Sequence, residues 1–154
     1  MKIKESTLQR CKEDGNEYEE LFKQKIISAG YRYNESTNKD DWYRHIDCYV
    51  NGYGVDVKAN RYLETIWLEH TNGNGNKGWL RGNAQYIAMF VKEFDAFCIF
   101  NREDLLKFIL DNVKEKTTDK TQYLKYYTRE KWGRKDLVVK VRYNHIKHLE
   151  LKKI

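Results

Sequence analysis

Two aspartates and a lysine fall in a spacing that could do phosphate chemistry: Asp47, and nine positions later Asp56-Val57-Lys58. Two carboxylates held close together can bind a divalent cation, and a lysine beside them can position or activate a water for attack on a phosphate. The run Ile46-Asp47-Cys48-Tyr49-Val50-Asn51-Gly52-Tyr53-Gly54-Val55-Asp56-Val57-Lys58-Ala59 reads as a β-hairpin. Side chains alternate between the faces of a strand. Ile46, Cys48 and Val50 then share one face, with Asp47 and Tyr49 on the other; Val55, Val57 and Ala59 form the apolar face of the second strand, with Asp56 and Lys58 opposite. Asn51-Gly52 is a pair favoured in two-residue type I′ turns. That turn pairs Val50 with Tyr53 and sets Asp47 against Asp56, about 5 Å apart. Like charges so placed are destabilising unless a cation compensates. A different loop pairs Asp47 with Lys58 and still keeps all three on one face, and a solvated charged face of an edge hairpin is the bland alternative.

Other elements must hold this hairpin. Tyr18, Phe22, Ile26 and Ala29 recur at helical spacing, so the sequence predicts a helix from about Gly15 to Ala29, with Asp14 as N-cap and Gly30 as its terminator. Glu19 borders the apolar stripe, and a carboxylate there needs a reason. Glu17 and Glu20 compete with it, although Glu20 faces further from Phe22 and Ile26. Tyr31 to Asp41 reads as polar and irregular, with Trp42-Tyr43-Arg44 leading into the hairpin. A third strand is predicted over Glu64–Glu69, followed by a Gly/Asn-rich loop from His70 to Gly78 that suits either the margin of a DNA cleft or plain surface. The apolar runs Tyr86–Val91 and Ala96–Phe100 predict buried strands. Asn101 then caps a helix from Arg102 to about Val113, whose core face is Leu105, Phe108, Ile109 and Val113. Lys114–Lys120 reads as a loop and Leu137–Tyr143 as the last strand.

The form D-x8-D-x-K on a hairpin resembles the metal site of the PD-(D/E)XK nuclease superfamily, which includes restriction enzymes, junction resolvases and phage exonucleases. The run Glu19-x2-Phe22-x3-Ile26-x3-Gly30 resembles the first helix of its resolvase-like members, in which a Glu assists metal binding. Trp67 to Thr71, Lys77-Gly78-Trp79-Leu80 and Ala84 to Ala88 also resemble small phage and mobile-element nucleases of the superfamily. The likeness covers about residues 14–113 and the last strand. It implies an α/β fold, a restriction-endonuclease-like mixed β-sheet flanked by helices. It also implies Mg²⁺, with Mn²⁺ able to substitute, held by Asp47, Asp56, the Val57 carbonyl and Glu19, with Lys58 acting on the attacking water. The extra strand run before the second long helix departs from the superfamily order.

Composition fits that reading. The chain has 154 residues, no Pro, no repeat and no linker-like stretch, so a single domain over 1–154 is expected. No apolar run approaches a membrane span, and the first residues lack the apolar core of a signal peptide, so a cytoplasmic protein with no membrane partner is expected. Cys11, Cys48 and Cys98 are far apart, without a C-x-x-C, which supports neither a zinc ribbon nor a disulfide framework.

The net charge of +6 is uneven: residues 101–154 carry 15 Lys+Arg against 8 Asp+Glu, so the excess lies in a basic C-terminal segment, about 114–154. From Gln122 to Arg142 aromatics alternate with cations, and Lys125, Arg129, Lys131, Arg134 and Lys135, together with Lys77 and Arg81 in and after the Gly/Asn loop, are the candidates for contacting DNA phosphates. The alternative is a final helix and strand whose aromatics pack inward, and for Trp132 and Tyr126 core packing is the expectation. The whole reading is a Mg²⁺-dependent DNA endonuclease. A junction resolvase, which needs two sites and so a homodimer, and a catalytically silent DNA- or protein-binding module are the alternatives.

Overall fold

A computed structural model describes the backbone of residues 2–154 and the side chains from Gly15 onward. It has the expected class, α/β with mixed sheets flanked by helices. The main sheet is six-stranded. Its strands are β1 (Tyr33–Glu35), β2 (Cys48–Val50), β3 (Tyr53–Arg61), β5 (Tyr86–Val91), β6 (Ala96–Asn101) and β10 (Glu150–Lys153), adjacent in that order. All neighbours are antiparallel except β3 and β5, which run parallel. A second sheet of four strands has the order β4 (Ile66–Thr71), β9 (Leu137–Val141), β8 (Tyr126–Tyr127) and β7 (Lys116–Thr117). The helices are α1 (Lys2–Ser28), α2 (Asn38–Arg44), α3 (Arg102–Asn112) and the single turn α4 (Tyr143–Ile146).

Two apolar layers sandwich the main sheet. On one face Phe22 and Ile26 of α1 pack on Cys48, Val55, Val57, Ala88, Phe90 and Phe97. On the other, Ile87, Met89, Cys98 and Phe100 meet Leu105 and Ile109 of α3 and the inner residues of the second sheet, Ile66, Leu68, Val139 and Val141. β3 and β5 are therefore covered on both sides, as parallel neighbours usually are. Asn101 caps α3 as expected, its side chain accepting the N–H groups of Glu103 at 2.9 Å and Asp104 at 3.3 Å.

Several expectations are corrected. α1 begins at Lys2, not near Gly15, so Asp14 lies within the helix rather than capping it, and its side chain is outside the described residues, as is that of Cys11. A lone glycine costs a helix about 1 kcal/mol, too little to stop one flanked by good helix formers. Gly30 does terminate the helix at φ +85°, with the Tyr31 N–H reaching back to the Ile26 carbonyl at 3.1 Å. The stretch read as irregular holds β1 and α2; Thr37 caps α2 through the Asp40 N–H, and Trp42 and Tyr43 are exposed on that helix. The third strand runs from Ile66 to Thr71 and belongs to the second sheet, paired with β9. β9 is not the last strand: β10 follows and completes the main sheet against β6. Glu150-Leu151-Lys152-Lys153 has no strand-like apolar alternation, which hid it. Trp132 is not core but 61% exposed, with the Lys131 ammonium 4.3 Å from its ring centre.

Candidate active site

The hairpin has the expected register. Val50 pairs with Tyr53, Tyr49 with Gly54 and Cys48 with Val55, around an Asn51-Gly52 turn with φ of 49° and 86°. Both positive angles are what a type I′ turn requires. Pairing then breaks at Asp47. Its N–H donates to the Val55 carbonyl at 2.9 Å, one residue short of the continued register. Ile46 accordingly lies over Gly54, on the Asp56 face of the hairpin, rather than beside Cys48 as the alternation predicted. A slip of this kind re-aims side chains.

Its effect is to turn the Asp47 carboxylate onto the backbone of β3, where Oδ2 accepts the Val57 N–H at 2.7 Å. The N–H and C=O of one strand residue point to the same edge. The Val57 carbonyl therefore faces the Asp47 side too, two residues beyond the last β2 partner, Val55. Asp56 and Lys58 share the face of their β5 partners Ile87 and Met89, so they are enclosed rather than solvated: Asp56 is 3% exposed. Lys58 Nζ sits 3.0 Å from Asp56 Oδ1 and 4.9 Å from the centre of the buried Trp79 ring. Asp56 Oδ2 has no contact with solvent and no hydrogen-bond partner.

The electrostatics mark this spot. Burial, then the charge of Asp56, a hydrogen bond between the two carboxyls and the charge of Glu19 push the Asp47 carboxyl far above the usual carboxylate range, against the pull of the Val57 N–H. Burial also raises Glu19, helped by Asp41, Asp56 and Glu35 and opposed by Lys58. Of the three helix acids, Glu17 and Glu20 are exposed and Glu19 is half-buried towards the site. Among the described residues, however, no three His, Cys, Asp or Glu side chains converge closely enough to hold a metal ion. Glu19 feels the charge of Asp56 but forms no such cluster with the pair. The pair itself fits a hard cation: two carboxylates in mutual repulsion, one orphaned oxygen and an adjacent backbone carbonyl. Mg²⁺ keeps several waters and needs only one or two protein carboxylates.

The candidate phosphate-binding cations divide. Lys77, Lys131, Arg134 and Lys135 are exposed, although Arg134 lies against Gly73, Lys135 against Gly75 and Lys131 on Trp132. Arg81 is structural, bonding the His70 carbonyl at 2.7 Å and Thr71 Oγ1 at 3.1 Å. Arg129 grips the buried Asp136, Nη2 to Oδ2 at 2.9 Å, and Lys125 pairs with Glu115 at 3.2 Å. Tyr126 packs against the core as expected.

Three residues at or near these sites escaped sequence reasoning. The sequence marks Trp79 only as half of a Gly-Trp pair and gives Asp136 no signal at all. Arg61 follows the motif by three residues, but simple alternation puts it on the wrong face. No helix among the described residues is long and apolar enough to cross a membrane.

No family model matches the chain, and no curated protein matches it. Among solved structures it is similar to a bacterial homing endonuclease, I-Ssp6803I, at 12% identity over 62% of this chain and 72% of that one, with a TM-score of 0.47.

Proposed function

We propose that this chain is a Mg²⁺-dependent endonuclease of the PD-(D/E)XK type that hydrolyses DNA phosphodiester bonds. The observation that carries the reading is the meeting of Asp47 and Asp56 past the end of β2, with Lys58 paired to one Asp56 oxygen and the other oxygen unpartnered. Folding alone gives no reason to bury two repelling carboxylates together.

Asp47, Asp56 and the Val57 carbonyl would hold the cation, with Glu19 outside them acting on its waters. When bound, Mg²⁺ would polarise the phosphate and lower the pKa of an attacking water. The chain's own residues supply the rest. The Val57 N–H fixes the Asp47 carboxylate, and the Trp79 ring and Asp56 fix the Lys58 ammonium. A cation so held can donate a hydrogen bond to a water or to a phosphate oxygen as charge builds there, without reorganising. The surface cations Lys77, Lys131, Arg134 and Lys135 are available to neutralise DNA phosphates.

The test is incubation with single-stranded, duplex, flapped and four-way-junction DNA in Mg²⁺, Mn²⁺, Ca²⁺ or EDTA, beside Asp47→Asn and Asp56→Asn. Cleavage that requires Mg²⁺ or Mn²⁺ and disappears in both variants is the expected result. Unchanged cleavage in both variants, or none in the parent on any substrate, refutes the reading.

A further inference from the structure

β3 carries a second irregularity beyond Lys58. Its pairing with β5 matches Lys58 to Met89 and then Arg61 to Val91, so one extra residue sits on β3 between them. Three steps along a regular strand would put Arg61 on the face opposite Lys58. The extra residue reverses that. Met89 and Val91 lie on one face of β5, and both belong to the core layer on the Asp56 side. Arg61 is thus turned onto the face of Asp56 and Lys58, the use to which bulges beside functional sites are commonly put.

The side chain that arrives there is not provided for. Arg61 Nε is shut off from solvent and has no hydrogen-bond partner. The guanidinium makes a single long hydrogen bond, Nη1 to the Asn60 carbonyl at 3.4 Å. Among the described residues no carboxylate lies within ion-pair distance of it, since Asp56 is taken by Lys58. Arginine offers five donors in a rigid fork and stays charged when enclosed. A half-buried guanidinium with its Nε enclosed and unpaired is costly unless an acceptor comes from outside the chain.

We propose that Arg61 is an anion-binding side chain, which takes a non-bridging phosphate oxygen of the nucleic-acid strand lying on the Asp47–Asp56–Lys58 site. The fork geometry suits a phosphate better than a point-charge ammonium would. The inference rests on the nuclease reading and names a further substrate contact for it. A purely structural alternative is that Arg61 offsets the charge of Asp56 from a distance.

The full-length protein, Arg61→Gln and Arg61→Lys are compared for affinity to a short DNA duplex in Ca²⁺ over a salt series. Arg61→Gln is expected to bind about 10- to 100-fold more weakly, as befits loss of a charged hydrogen bond. Its slope of log K against log salt should flatten by about 0.9, the share of one duplex phosphate. Arg61→Lys should keep the slope while losing part of the affinity. A folded Arg61→Gln with parental affinity and slope overturns the proposal, as does a change confined to melting temperature, the mark of mere charge balance. Should Arg61→Gln not fold, the ¹⁵N resonance of Arg61 Nε–H in the parent decides: it must move when duplex is added in Ca²⁺, and an unmoved signal refutes the contact. A parent that binds with these dependences but never cleaves sinks the nuclease reading and leaves the phosphate contact standing; a parent that binds no DNA sinks both.

Discussion

Replacing the two aspartates one at a time should move the metal-free protein in opposite directions. Two unit charges about 4 Å apart repel by about 4 kcal/mol at an effective dielectric of 20. Lys58 against Asp56 and the Val57 N–H against Asp47 offset part of this, and about 2 kcal/mol is a fair remainder. Asp47→Asn removes the repulsion and keeps an acceptor for the Val57 N–H, losing about 1 kcal/mol as a charged acceptor becomes neutral. The net gain, about 1 kcal/mol, is about 2–4 °C in melting temperature for a chain of this size. Asp56→Asn instead strips Lys58 of its partner in an enclosed site and should destabilise by about 2–3 kcal/mol. The pH dependence has a definite sign. Asp47 has a folded pKa raised above its unfolded value, so the protonated carboxyl favours folding. That stability is full below about pH 4 and is lost as pH rises through the folded pKa. Melts in EDTA across this range should show the decline in the parent and a weaker one, owed to Glu19, in Asp47→Asn. Saturating Mg²⁺ should stabilise the parent and neither variant. If Asp47→Asn melts at or below the parental temperature in EDTA above about pH 9, where the Asp47 carboxyl is ionised, the two carboxylates do not oppose each other and the reasoning fails.

Lys58→Met should still bind duplex in Ca²⁺ within a few-fold while single-turnover cleavage in Mg²⁺ falls by about 100-fold or more, because the lost interaction belongs to the transition state; equal falls in affinity and rate would make Lys58 a binding residue. Glu19→Gln should raise the Mg²⁺ concentration needed for half-maximal cleavage and leave the rate at saturating Mg²⁺ within about tenfold, since among the described residues the acid forms no ligand cluster with the pair; complete loss at saturation would place it in the ligand set. Lys77, Lys131 and Lys135 changed together to Ala should flatten the DNA salt slope by about 0.9 for each phosphate no longer neutralised, with little change in melting. Arg129→Ala should instead destabilise by about 2 kcal/mol by leaving the buried Asp136 carboxylate unpaired, and an unaltered melt would return Arg129 to the surface cations.

The hairpin was legible because its determinants are local. Asn51-Gly52 dictates the turn and the turn dictates the register from Val50 to Cys48, while alternation sets Asp56 and Lys58 on one face of β3. The slip at Asp47 was not legible, because it depends on a backbone N–H choosing Val55 over the next residue. The reversal of Arg61 was hidden for the same reason, as strict alternation is the only rule that a sequence offers for facing. Partner choice between strands is non-local. Ile66 to Thr71 announces a strand by its alternation, but nothing in it says that it pairs with Leu137–Val141, far along the chain, in a second sheet. β10 has no pattern of its own and is a strand because β6 presents an open edge and Ile154 exchanges both backbone hydrogen bonds with Phe97.

The distribution of unsatisfied atoms separates folding from function in this chain. Six buried side-chain atoms among the described residues have no hydrogen-bond partner, and three of them, on Asp56, Asn60 and Arg61, lie within six consecutive residues of β3. A strand covered on both faces is the worst place for them, since water cannot reach in to compensate. Its pairing with β5 survives their presence, slipping by only one residue. The apolar layers on either side supply the stability that this pairing needs, so β3 can carry an acid, a lysine and an arginine that its own fold does not require. Both irregularities, the slip at Asp47 and the extra residue before Arg61, bring a charged side chain to the same stretch of β3. Orphaned acceptors and an orphaned donor then lie side by side, the first suited to a cation and the second to an anion. A metal–phosphate pair presents both at once, which is why the proposed chemistry and the proposed Arg61 contact belong to one site.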